Sequence, residues 1–95
     1  MIGSNTVGNI THELRILPKY FSAVLDGRKT FEIRNNDRGF SVGDTLVLKE
    51  WDKEKSTLTG RQLRCEVTYI LKGNDETRKY GLMKGFCIMS IIQKW

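Results

Sequence analysis

Between Gly27 and Arg34 the chain reads Gly-Arg-Lys-Thr-Phe-Glu-Ile-Arg, four ionisable side chains set around two apolar ones. Lys29, Glu32 and Arg34 are the types that bind and orient an anion. An ammonium is a compact point charge, a guanidinium is a planar fork that meets a phosphate or a base edge with two parallel hydrogen bonds, and a carboxylate can aim both. A lysine taken out of water and paired with a carboxylate can also act as a base. At a β-strand's period of two, Phe31 and Ile33 share one face, predicted to be core, and Thr30, Glu32 and Arg34 share the other, predicted to carry the chemistry. Lys29 stands three residues before Glu32, so an ideal strand would point the two apart. They meet only if Lys29 still belongs to the preceding turn or if a bulge intervenes.

Further candidates lie outside this segment. Trp51, beside Lys49 and Glu50, offers a flat ring next to charge, which is what stacking on an exposed base requires; Tyr69 is a second such ring, with core packing the alternative for both. Glu50 becomes a general base if burial raises it, although no Ser, Cys or metal motif stands beside it. His12, the only imidazole, alternates with Leu14 and Ile16 and reads as a partly buried structural residue, with ligand contact as its second role. Arg61, Arg64, Lys72, Arg78, Lys79 and Lys84 form either a solvated face or a track for phosphates.

The elements that must position these groups follow from the pattern. Thr11 to Ile16 alternates as a strand and stops before Pro18, which suits the first turn of a helix. Tyr20, Phe21, Val24 and Leu25 recur at helical spacing up to Asp26, and Gly27 caps the helix in the left-handed conformation. A strand from Lys29 to Arg34 leads to the polar turn 35–39. Phe40 and Val42 restart the apolar pattern, and Val42-Gly43-Asp44 turns into a strand from Thr45 to Trp51. The charged segment 52–60 joins it to a long strand, Arg61 to Lys72, with Leu63, Cys65, Val67, Tyr69 and Leu71 predicted on one face. Phe86 to Ile92 is apolar on both faces and reads as a central strand covered on two sides. Five or six strands with one or two short helices predict a mostly β, α+β domain, a small mixed β-barrel.

Ninety-five residues make one domain. Residues 1–10 read as a flexible leader and 11–95 as the folded unit. A net charge of +5 and a pI near 9.4 favour a polyanionic partner. No apolar run is long enough to span a bilayer and no secretory signal opens the chain, so a cytoplasmic location is expected. Cys65 and Cys87 sit in strand-like apolar runs without metal-ligand spacing and read as reduced core thiols. One His and no cysteine cluster leave no zinc site, and nothing calls for a cofactor.

The pattern Gly27-x-Lys29-x-x-Glu32-x-Arg34, after an amphipathic helix and before Val42-Gly43-Asp44, resembles the signature of the ASCH domain family of PUA-like β-barrels. The likeness runs from about Thr11 to Gln93. It takes in Leu48-Lys49-Glu50-Trp51-Asp52 and Gly81-Leu82-x-x-Gly85-Phe86, both typical of a small bacterial and phage-type branch. The resemblance implies a cleft beside the helix, lined by the motif residues, and RNA or a nucleotide as its ligand. Some relatives of this fold are enzymes, among them a small amidohydrolase that removes the acyl group from N4-acetylcytidine. Its lysine corresponds to Lys29, but Glu32 stands where it has a threonine nucleophile, and its further catalytic glutamate has no assigned counterpart here. On that alternative Lys29 and Glu32 form the catalytic pair. A structural or protein-interaction domain, its polar cluster serving stability, is the third possibility.

Overall fold

The computed structural model describes residues 9–94. Five strands, Thr11–Ile16 (β1), Phe31–Asn35 (β2), Thr45–Asp52 (β3), Thr57–Lys72 (β4) and Phe86–Lys94 (β5), form one sheet in the order β1-β3-β4-β5-β2. Only β1 and β3 run parallel; the other neighbours are antiparallel. The described residues are mostly β, with one α-helix, Pro18–Leu25 (α1), and a short 3-10 turn at Thr77–Tyr80. The sheet curls into a half-barrel, and bulges in its β3–β4 and β4–β5 ladders sharpen the bend.

The local causes are readable. Leu17 is extended, so Pro18 enters at the first helical position, where its fixed φ fits and its missing N–H costs nothing. Phe21 and Val24, three residues apart, then point into the half-barrel, where they meet Leu14, Leu46, Leu48, Met89 and the two cysteine thiols. Gly27 takes a φ of +85° and turns the chain so that the Lys29 N–H reaches back to the Ala23 carbonyl at 2.9 Å. That return sets the start of β2 beside the end of α1. Cys65 and Cys87 are both buried and unpaired.

β1 and β2 are the two edges of the sheet, and here the half-barrel is held by side chains instead of a backbone ladder. The Arg34 guanidinium donates to the Arg15 carbonyl at 2.9 Å, and Arg38 donates to the Glu13 carbonyl at 2.8 Å. These are edge carbonyls that point away from β3, and each would otherwise be an open template for another strand.

Three faces differ from the expected pattern. In β2 the burial is inverted: Glu32 is inside, while Phe31 and Ile33, predicted in the core, are 45% and 55% exposed on the outer face. Register explains it, because Glu32 pairs with the fully buried Met89, and Phe31 and Ile33 pair with the outward Ser90 and Ile88. In β4 the alternation predicts Tyr69 and Leu71 beside Val67, but Thr68 is an extra residue in the ladder. Val67 pairs with Ile91 and Tyr69 with Ser90. The slip turns Tyr69 and Leu71 outward and brings Ile70 against the core. In β5 only Cys87, Met89 and Ile91 are covered, while Phe86 and Ile92 face outward, since among the described residues the half-barrel has no second layer on its convex side. β4 also begins earlier than expected, at Thr57, after the turn at 53–56.

Of the predicted leader, residues 1–8 lie outside the described residues. Ile10 belongs to the fold: its carbonyl accepts from Thr45 N–H at 2.9 Å and its N–H reaches Asp44. Trp95 likewise lies outside the described residues. No helix among them is long and apolar enough to cross a membrane.

Asp44 ties the entry of β3 together. It is fully buried, and its carboxylate accepts from Ile10 N–H and Ser41 N–H and meets His12 Nε2 at 2.7 Å. His12 also packs edge-on to Phe40, with ring centroids 4.6 Å apart. Removing the carboxylate strands these buried partners. Asp44→Ala is therefore expected to lower the unfolding free energy by about 3 kcal/mol, read from urea denaturation midpoints.

Candidate functional site

β2 starts at Phe31, so Lys29 still belongs to the turn after α1, and this lets it reach the inner side of the strand. Its ammonium donates to Glu32 Oε2 at 2.5 Å and to the Phe31 carbonyl at 2.6 Å. Arg34, two residues beyond Glu32 and on the same face, donates through Nε to Glu32 Oε1 at 2.8 Å. Each oxygen of the carboxylate thus holds one cation. The Glu32 side chain is 4% exposed, against 14% for Lys29 and 25% for Arg34, so the acid lies deepest and the two cations lie nearer water. Buried charge on Glu32 is tolerable because both partners are within hydrogen-bond distance.

The three side chains open into a cleft of about 480 Å³ in the gap between β1, α1 and β2. Ile16, Leu17 and Ile33 line it, as do two half-exposed aromatic rings, Tyr20 and Phe31. Lys29 Nζ stands 4.8 Å from the Phe31 ring centroid and 5.8 Å from that of Tyr20, within reach of a cation–π interaction with both. Arg15 also lines the cleft, its guanidinium 3.9 Å from the centre of the Trp51 ring. With three cations to one carboxylate, the cleft favours an anion. Arg34 uses Nε and Nη2 on protein oxygens, and Nη1 has no protein partner among the described residues. A volume of this size, apolar walls and a few converging polar groups are the makings of a small-ligand site.

The remaining sequence candidates are elsewhere. Trp51 is separated from the cleft by Arg15, which covers one face of its ring. Lys49 pairs with Glu13 at 3.0 Å on the outer side of the β1–β3 ladder. Glu50 is buried and receives Thr59 Oγ1 at 2.6 Å together with two Arg61 nitrogens at 3.0 Å, which ties β3 to β4. The Arg61 guanidinium also lies 4.6 Å from the Phe21 ring centroid. Tyr69 is on the convex face, and His12 is held by Asp44. Among the described residues no cluster of three or more His, Cys, Asp or Glu is arranged to hold a metal ion.

Of the cleft residues that bring a charge or an aromatic ring, three have no counterpart among the sequence candidates: Arg15, Tyr20 and Phe31. For Tyr20 a signal existed, since an eight-residue helix with Phe21 and Val24 already buried has room for only a narrow apolar stripe, and a ring with a hydroxyl suits its wet margin. For Arg15 and Phe31 there was none, because their place depends on which strands flank the gap. Beneath the site, burial pushes the Cys65 thiol up to about 11, and the Glu32 charge adds to the effect. Burial likewise raises Cys87. Neither is a nucleophile at neutral pH.

Residues 11–91 match the profile of a protein family described as a domain of unknown function, DUF3850. The chain is also 38% identical over 72 residues to a protein of Escherichia phage P2 described as an uncharacterized 12.9 kDa protein in the GpA 3' region. That similarity covers 76% of this chain and 64% of the phage protein, so the chain matches somewhat under two thirds of its relative's length.

Glu50 carries a pH signature. Hydrogen bonds from Arg61, then Thr59, hold its carboxyl below the ordinary value of 4.5 in the folded state. A lowered folded pKa means stability that is present above the unfolded value and lost as pH falls through the folded one. Glu50→Gln is thus expected to lower the urea midpoint at pH 7. The gap to the native protein should persist down to about pH 4.5 and close below it, and a gap that widens on acidification would contradict this assignment. Ellman's reagent at pH 8 is expected to label neither cysteine until the protein unfolds.

Proposed function

The chain belongs to the DUF3850 family, and from the cleft that lies across its sheet edges we propose that it is an RNA- or nucleotide-binding module, with a PUA-like barrel of the kind its motif resembles in ASCH domains. One observation carries this reading. Lys29, Glu32 and Arg34 converge on a single open cleft that also contains two aromatic rings. Glu32 sets the direction of both cations without neutralising them as a pair. Arg34 then presents Nη1 to a phosphate or to the edge of a base, and Lys29 supplies a second charge. Tyr20 and Phe31 offer π-faces for stacking, which is how unpaired bases are usually held. The basic net charge draws a polyanion toward the site from a distance. A cytoplasmic location, where both thiols stay reduced, belongs to the same proposal.

The amidohydrolase alternative has less behind it. Lys29 is present, but the nucleophile's position holds Glu32, whose two oxygens are both engaged, and the nearby Cys65 thiol is protonated.

Fluorescence anisotropy with a labelled short single-stranded RNA at low ionic strength tests the binding role. Binding is expected to weaken steeply with added salt, and Arg34→Ala and Lys29→Ala are each expected to weaken it by about 10-fold or more. Tyr20→Ala should cost at least about 5-fold through lost stacking. RNA affinity indifferent to salt and to both charge substitutions would refute the proposal. Chromatography of N4-acetylcytidine incubated with the protein is expected to show no cytidine.

A further inference from the structure

The inversion of β2 has a second result, on the side of the sheet away from Glu32. Across the convex face, register puts Ile33 beside Ile88 and Ile88 beside Leu71; in the next row Phe31 lies beside Ser90 and Ser90 beside Tyr69. Phe86 continues the face two residues before Ile88. Apart from the two residues at the centre, Ile88 and Ser90, these side chains are at least two-fifths exposed. Three aromatic rings, Phe31, Tyr69 and Phe86, therefore stand on one open antiparallel surface. The Thr68 bulge is what turns Tyr69 onto it. The helix packs on the opposite, concave side and leaves this face uncovered.

Two features say what chemistry the surface suits. It is continuous with the cleft, because Phe31 and Ile33 line both. It is also basic at its ends. Arg64 and Lys94 are register partners at one end, and Lys84 precedes Phe86 by two residues at the other; Lys72 pairs with the buried Cys87 and so belongs to the concave side. Among the outward positions of β2, β5 and this half of β4 the only acid is Glu66, and Lys94 engages it at 2.7 Å. Rings spaced along a surface with cations at both ends match a chain that alternates flat bases with phosphates.

We infer that the convex face of β2, β5 and β4 is a platform for single-stranded RNA leaving the cleft. One nucleotide occupies the cleft against Phe31, and its neighbours stack on Tyr69 and Phe86, with their phosphates directed to the cations at the two ends. This rests on the cleft reading for the class of ligand and adds a path that the cleft alone does not require.

Tyr69 and Phe86 are exposed and outside the cleft, so Tyr69→Ala with Phe86→Ala should leave the fold intact, as circular dichroism checks. The probes are labelled oligouridylates of two and eight nucleotides, measured by anisotropy with the full chain. The octamer is expected to bind at least about 10-fold more tightly than the dimer, and the double variant should lose that advantage while dimer affinity stays the same. A double variant that binds the octamer like the native chain would overturn the platform and leave the cleft standing. If Arg34→Ala leaves dimer affinity unchanged while the double variant still weakens the octamer, the cleft reading falls and the platform survives. Sedimentation equilibrium supplies the remaining outcome: a native dimer that the double variant dissociates, with octamer affinity unchanged, would assign the face to a second copy of the chain and overturn the proposal.

Discussion

The Glu32 carboxylate, buried and held from both sides by cations, is the constraint on which the rest of this molecule turns. A carboxylate in an interior is costly unless hydrogen-bonded counter-charges accompany it. Lys29 and Arg34 meet that requirement, and each does something more: Lys29 caps the Phe31 carbonyl, and Arg34 reaches across to the Arg15 carbonyl. One acid therefore organises the turn after the helix, the first residues of β2, and the contact between the two edges of the sheet. Its burial goes with the facing of β2, which the pairing of Glu32 with Met89 sets. With Glu32 inside, Phe31 and Ile33 must be outside, because a strand offers its side chains only two directions.

The seam between β1 and β2 is where structure and chemistry coincide. A closed barrel would satisfy both edges with a ladder, and no room would remain for a ligand. Two arginine side chains span the gap at intervals, which ties up the edge carbonyls of Glu13 and Arg15 while leaving a cleft between them and the helix. These two carbonyls of the β1 edge are thus unavailable to another chain, and Arg34, which occupies one of them, also lines the cleft.

Buried polar groups elsewhere show how motif residues can be structural. His12 is locked by Asp44, as its alternation with Leu14 and Ile16 predicts, and Glu50 is saturated by Thr59 and Arg61. Trp51 has its ring covered on one face by Arg15. Each carries the residue type of a binding site, but the partners that absorb it come from other parts of the chain, and none of those pairings is visible in the local spacing. Two glycines show the same division. Gly27 announces the end of the helix from its position alone. The need for Gly73 is tertiary, since a Cβ there would fall within 1.9 Å of the Met83 carbonyl oxygen, where the loop folds back on the sheet.

The amino-acid order by itself determined five or six strands, the helix opened by Pro18 and closed by Gly27, a structural His12, and Glu32 with Arg34 on one strand face with Lys29 able to join them from the turn, because these depend on short-range periodicity and on fixed side-chain chemistry. Three matters belonged to the tertiary structure alone: which face of β2 turns inward, where the β4 ladder slips at Thr68, and which strands flank the cleft to bring Arg15, Tyr20 and Phe31 around it. Alternation identifies two faces but carries no label for inside. That label comes from partners far along the chain, Met89 opposite Glu32 and Ser90 opposite both Phe31 and Tyr69, and it exists only once the sheet has assembled.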